Sequence, residues 1–132
     1  MIRMWWKRAE ASENPRHALG RRGERVAARY LRLRGYRILA RNAVFARCEI
    51  DIIARKGDTI AFVEVRTVTQ GEPLLPQDTV TPAKQAHIRR AASVWIAREG
   101  RDGWYYRFDV IGIIMGEGRK PQVAHFPDAF PG

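Results

Sequence analysis

Glu49-Ile50-Asp51-Ile52-Ile53-Ala54-Arg55-Lys56, then Gly57-Asp58, then Thr59-Ile60-Ala61-Phe62-Val63-Glu64-Val65-Arg66, is the stretch that decides the fold. Two runs rich in β-branched residues on either side of a Gly-Asp dipeptide read as a β-hairpin. With Gly57 in the first position of a two-residue type II′ turn, Asp51 faces Glu64 and Glu49 faces Arg66. Directly opposed residues have Cβ atoms about 4.5–5.5 Å apart, where like charges destabilise a sheet. The neighbours Ile53 and Phe62 on that face are apolar, and so are Ile50, Ile52, Ala61, Val63 and Val65 on the other. A carboxylate pair in so apolar a hairpin costs several kcal/mol unless it is paired or binds a metal. Mg²⁺ or Mn²⁺ suits such a pair, because hard divalent ions take carboxylate oxygen and keep positions for water and phosphate. The competing reading is a solvated edge hairpin in which Glu49 pairs with Arg66 and Asp51 with another arginine.

Upstream, residues 1–19 carry no apolar period and read as a flexible basic arm. From Gly20 to Arg34 the spacing is helical, with Ala27, Ala28, Tyr30 and Leu31 on one side and Arg21, Arg22, Arg25, Arg29 and Arg32 as a stripe on another. Gly35 stops the helix, and Tyr36 to Phe45 reads as a strand. Downstream, residues 67–80 form a loop, Thr81-Pro82 provides an N-cap and a first-turn proline, and Lys84 to Arg98 is helical with Ile88, Ala91, Ala92 and Trp95 on one face. Tyr105 to Ile114 is a late strand, Val123 to Phe126 a short edge strand, and 127–132 a tail. The order αβββαβ predicts an α/β fold, a mixed sheet flanked by helices, over one domain at 20–126.

The chain has 132 residues, with 24 Lys plus Arg against 14 Asp plus Glu. Residues 1–47 hold 13 basic and 3 acidic side chains, so the first third carries the whole net charge of +10. Arginine dominates the basic set, and its rigid fork of donors matches phosphate. A polyanion, nucleic acid first, is the expected partner. A single cysteine, Cys48, excludes a disulfide scaffold. No window reaches the roughly 20 apolar residues of a membrane span, and no signal peptide precedes the domain, so a soluble cytoplasmic protein is expected. The three histidines show no metal-ligand or nucleophile spacing, which leaves Cys48 structural.

Asp51, twelve intervening residues, then Glu64-Val65-Arg66 resembles the PD-(D/E)xK nuclease signature. Gly23-Glu24-x-x-Ala27, Gly35-Tyr36-x-Ile38-Leu39-x-x-Asn42, Glu49-Ile50-Asp51-Ile52-Ile53, Phe62-Val63-Glu64-Val65-Arg66 and Arg107-Phe108-Asp109-Val110 together resemble the UPF0102 (YraN-like) family. That resemblance implies a restriction-endonuclease-like core related to archaeal Holliday-junction resolvases. It implies Asp51 and Glu64 as ligands of Mg²⁺ or Mn²⁺, Glu49 as a helper on the same face, and Glu24 as an acidic residue on the first helix. Glu24 projects between Ala28 and Leu31; a first-turn glutamate favoured by the helix dipole is its structural alternative. Arg66 stands where the superfamily has lysine, and an arginine cannot accept a proton. Lys84, at the N-terminal end of the second helix, is a candidate substitute, with snorkelling at the helix end as the alternative. Cys48 stands where the family commonly has glycine.

The expected function is metal-dependent hydrolysis of phosphodiester bonds in DNA, including branched recombination or repair intermediates, with the arginine stripe on the backbone. The alternative is a non-catalytic nucleic-acid-binding module of the same fold, with Arg66 neutralising the site. Resolvases act as dimers, and Trp5 and Trp6 in the arm offer an apolar surface for a homodimer.

Overall fold

The structure, a computed structural model, describes residues 14–69, 71 and 80–132. Its central hairpin follows from its turn. Strand β2 (Cys48–Lys56) returns as β3 (Thr59–Thr69), with φ +60° at Gly57 and no positive φ at Asp58, the pattern of a type II′ turn. Lys56 pairs with Thr59, and the expected register holds through Ile53↔Phe62 to Ile52↔Val63. Strand β1 (Arg37–Phe45) joins β2 through Ala46 and Arg47, both at positive φ as a type I′ turn requires.

Strands β4 (Tyr105–Met115) and β5 (Gln122–Phe130) complete a sheet of order β1-β2-β3-β4-β5. Only β3 and β4 run parallel. A parallel pair needs a crossover, and helix α2 (Pro82–Glu99) lies in that connection. Thr81 caps α2 by accepting the Lys84 N–H at 3.1 Å, and Pro82 occupies the first turn. The helix buries Ile88, Ala91, Ala92 and Trp95 against Ile53, Ile60 and Phe62. Helix α1 (Pro15–Leu33) buries Ala27, Ala28 and Leu31 against Ile52, Ala54, Ala61 and Val63, the alternate residues of the same strands. One helix therefore lies on each face of the sheet, in a restriction-endonuclease-like α/β core.

Three element boundaries differ from those expected. Helix α1 begins at Pro15, not Gly20, because Pro15 can open a helix and the Ala18 N–H bonds the Asn14 carbonyl; this first turn buries little, so apolar periodicity does not reveal it. The remainder of the expected arm, with Trp5 and Trp6, lies outside the described residues. Strand β3 continues to Thr69 beside β4, so 67–69 belong to the sheet and not to the loop. Strand β5 runs on to Phe130 instead of ending at 126: Asp128 at φ +52° makes an irregularity that carries the chain past Pro127. Phe130 then stacks on Phe108 with ring centroids 5.1 Å apart.

A buried polar network fastens the far side of the sheet. Asp109, fully buried, accepts two bonds from Arg107 at 2.8 and 3.0 Å, one from the Asp128 N–H at 3.0 Å, and lies 2.8 Å from His125 Nε2. Arg107 also donates to the Tyr36 hydroxyl at 2.6 Å, and Tyr30 reaches His125 Nδ1 at 3.4 Å. Burial alone would raise the Asp109 pKa, but bonds from His125, Arg107 and the Asp128 N–H outweigh it and hold the carboxyl below its ordinary value.

Gly23 of α1 packs directly on Thr67 of β3; a Cβ at Gly23 would overlap Thr67 Oγ1 and come within 3.1 Å of Thr67 Cβ. Glycine is thus a condition for helix and strand to close. Gly23→Ala is expected to destabilise the protein by about 1–3 kcal/mol, although alanine normally favours a helix by about 1 kcal/mol. Adding Thr67→Ala should recover most of the loss in denaturant melts; a stabilising Gly23→Ala would contradict this packing.

Candidate functional site

The candidate site forms where the regular sheet fails. The ladder between β2 and β3 ends at Ile52↔Val63. At the next position the Asp51 side chain substitutes for the backbone, its Oδ2 accepting the Val65 N–H at 2.8 Å. On the other side Arg41↔Ile52 and Ala43↔Ile50 keep one register, but no ladder pair joins Asn42, at φ +50°, to Asp51 between them. Alternation fails here too: Ile50 and Ile53 both belong to the core under α2, while Ile52 between them lies under α1. The expectation that Ile50 shares a face with Ile52 is therefore corrected; the irregularity at Asp51 shifts the pleat by one residue.

This break brings four carboxylates from three elements together. Carboxylate oxygens of Glu24 (α1), Glu49 and Asp51 (β2) lie within 4.8 Å of one another, and among the described residues this is the group able to hold a metal ion. Asn42 hydrogen-bonds Glu24 and so orients it from the neighbouring strand. Glu64 (β3) stands beside Asp51 and is gripped by Lys84 from the first turn of α2, Nζ to Oε1 at 3.1 Å. Glu24, Asp51, Glu64, Arg66, Thr67 and Lys84 line a cleft of about 690 Å³.

Electrostatics follow from crowding and burial. Asp51 is pushed up to about 7, first by burial and then by the charge of Glu64, with the Val65 N–H opposing. Burial also raises Glu64, against the charge and hydrogen bond of Lys84, and raises Glu24 together with the charge of Asp51. Burial alone would lower Lys84, but Glu64 outweighs it, so the ammonium is held above its usual range. Burial and the charge of Glu64 thus favour the neutral form of Asp51, while Lys84 favours the ionised form of Glu64.

The donor set fits a hard cation. Glu64 Oε2 and Thr67 Oγ1 are the buried side-chain polar atoms without a hydrogen-bond partner among the described residues, and both residues line this cleft. Buried polar atoms are nearly always bonded, so two orphans in one acidic cleft mark a place for a ligand. Carboxylate oxygens are the donors that hard divalent ions prefer.

The profile of the family described as "Uncharacterised protein family UPF0102" matches residues 23–113, from the glycine that admits Thr67 almost to the end of β4. The chain belongs to the UPF0102 family. A UPF0102 protein of Anaeromyxobacter dehalogenans is 44% identical over 117 residues, 89% of this chain and 87% of that one. One from Chlorobium phaeobacteroides is 44% identical over 119 residues (86% and 94%), and one from Geobacter metallireducens 46% over 113 (86% and 92%).

In this UPF0102 chain Glu24, Glu49, Asp51 and Glu64 gather as expected, and Lys84 reaches Glu64 instead of snorkelling at the helix end. Arg66 is exposed on the cleft wall and forms no ion pair with Glu49. Arg21, Arg22, Arg25, Arg29 and Arg32 are exposed along α1. Cys48 is buried, its thiol 3.4 Å from the Ala46 carbonyl. Sequence reasoning missed Asn42 and Thr67 as parts of the site. Asn42 did carry a signal, since asparagine is poor in strands and tolerates positive φ; Thr67 carried none, being placed in a loop.

A raised carboxyl pKa has a definite consequence for stability. The contribution of Asp51 is fully present below its ordinary value near 3.8 and is lost as pH rises through about 7. In chelator, wild type should lose stability over that window, while Asp51→Asn should be flatter and at least as stable at pH 8. Thermal melts across pH check this; a variant destabilised by about 3 kcal/mol at every pH would make Asp51 a structural salt-bridge partner.

Proposed function

We propose that this protein is a metal-dependent nuclease acting on DNA, with Mg²⁺ or Mn²⁺ as its cation. The observation that carries the proposal is the gathering of Glu24, Glu49 and Asp51 within ligand distance of one another, beside Glu64, which is held by Lys84 and keeps its Oε2 unpartnered. Asp51 and Glu64 hold the cation, with Glu49 and Glu24 at its margin. When bound, a hard divalent cation supplies Lewis acidity toward the scissile phosphate and activates water.

The chain's own groups divide the remaining work. Lys84, kept protonated by Glu64, is a fixed positive charge for the phosphate oxygens as negative charge develops. Arg66 adds a second cation at the cleft wall and moves no proton. Glu24, half-buried at the margin of the cluster and raised above the ordinary carboxyl value by burial and the charge of Asp51, is the acceptor for the proton of the attacking water. The exposed arginines of α1 contact the sugar-phosphate backbone, which sets position without reading sequence. The non-catalytic alternative needs Arg66 to neutralise the carboxylates through Glu49, and that pair does not form among the described residues.

No helix among the described residues is long and apolar enough to cross a membrane. The test is cleavage of labelled duplex, single-stranded and branched DNA with Mg²⁺, with Mn²⁺ and with chelator. Wild type should cleave only with the cation, Asp51→Asn and Glu64→Gln should be inactive, and Lys84→Ala should lose about 10²–10³-fold in rate. Cleavage that survives Asp51→Asn, or no cleavage of any substrate with either ion, would contradict the proposal.

A further inference from the structure

At the other end of α2 from Lys84 lies a second basic surface. Arg37, Arg55, Arg98 and Arg101 line a groove of about 530 Å³ together with Phe45, Trp95 and Trp104, and Glu99 is its one acidic residue. None of the four guanidinium groups forms an ion pair among the described residues. Three of them are held by aromatic rings. The guanidinium of Arg55 lies 4.9 Å from the Trp104 ring centre and that of Arg101 5.2 Å from the same ring, while Arg98 lies 5.7 Å from that of Phe45. Arg55 is fixed further by donating from Nε to the Gly57 carbonyl at 2.9 Å.

Clustered cations repel, and none of the four is neutralised by an ion pair among the described residues, although Glu99 shares the groove. Each cation–π contact offsets part of that cost and limits rotamer freedom before any ligand arrives. The result is a set of oriented, unpaired forks, and the fork geometry of arginine matches phosphate oxygens. The charges come from β1, β2, α2 and the turn after it, spread along an open groove and not gathered around one enclosed pocket. That distribution suits a chain of phosphates better than a single phosphate.

Position connects this groove to the carboxylate cleft. Lys84 and Arg98 are fourteen residues apart on α2, which is about 21 Å at 1.5 Å per residue. Asp51 and Arg55 are four residues apart on β2, which is about 13 Å. We propose that this arginine–tryptophan groove is a second nucleic-acid contact, gripping the phosphodiester backbone about four to six base pairs from the carboxylate cleft at 3.4 Å per step. The placement of the scissile bond rests on the nuclease reading; the binding itself does not.

Binding of a labelled duplex of about 20 base pairs, followed by anisotropy across roughly 50–200 mM salt, tests the groove. The full chain carries Asp51→Asn and is kept in chelator, so nothing is cleaved. Arg98 and Arg101 are exposed, so Arg98→Gln with Arg101→Gln leaves the core intact. This pair should weaken binding about tenfold or more at low salt and reduce the salt slope by up to about 2 units, whereas Arg→Lys at both positions should keep the slope. The proposal is overturned if the Gln pair matches its parent while Arg22→Ala/Arg25→Ala/Arg29→Ala weakens binding. It is also overturned if the Gln pair loses affinity for a polyglutamate peptide and not for DNA, which would assign the groove to an acidic protein partner. A changed slope with no cleavage in the substrate panel would retain the groove and reject catalysis; cleavage with an unchanged slope would do the reverse.

Discussion

Two carboxylates side by side in a largely apolar hairpin repel and are costly to keep ionised, and most of the local structure can be understood as the response to that constraint. Asp51 leaves the regular pleat and takes a backbone N–H in place of a ladder partner. Glu64 is offset by an ammonium brought in from α2, and α2 presents that ammonium because Thr81 fixes its first turn. Asn42 adopts a left-handed conformation opposite the break and orients Glu24. Gly23 lets α1 settle on Thr67 closely enough for the next residue, Glu24, to join the cluster. The remaining repulsion raises the Asp51 pKa, and a bound cation would relieve it.

Among the described residues the other buried side-chain polar atoms have hydrogen-bond partners. Asp109 is as buried as any core side chain, yet four donors from Arg107, His125 and Asp128 surround it. This contrast is informative because both acids sit on central strands of the same sheet. Asp109 has a complete set of partners and ties β4 to β5, a structural role. Glu64 keeps one buried oxygen unpartnered beside three further carboxylates, which a purely structural site has no reason to tolerate.

The hairpin was readable because its two determinants are local. Gly57 sets the turn, and the turn sets the register from Lys56↔Thr59 to Ile52↔Val63; the expected Asp51↔Glu64 and Glu49↔Arg66 pairs lie beyond the end of that ladder, where the Asp51 side chain bonds the Val65 N–H instead. The α2 face was equally legible, since Ile88, Ala91, Ala92 and Trp95 recur at helical spacing and Thr81-Pro82 marks the start. What escaped the sequence was non-local or irregular. The first turn of α1 buries too little to show a period, and β5 passes a proline through an irregularity that strand patterns count as an end. The shift of Ile50 to the α2 side arises from Asp51 itself, whose behaviour depends on Val65 fourteen residues away. The network at Asp109 joins residues up to 95 positions apart, which no spacing rule anticipates.

The central claim is that the break in β2 exists to hold a cation between Asp51 and Glu64. Crystals grown or soaked with Mn²⁺ and measured for anomalous scattering test it directly. The account predicts a peak in the cleft with oxygens of Asp51 and Glu64 within about 2.0–2.6 Å, absent from Asp51→Asn crystals treated alike. An empty cleft at millimolar Mn²⁺ would contradict it.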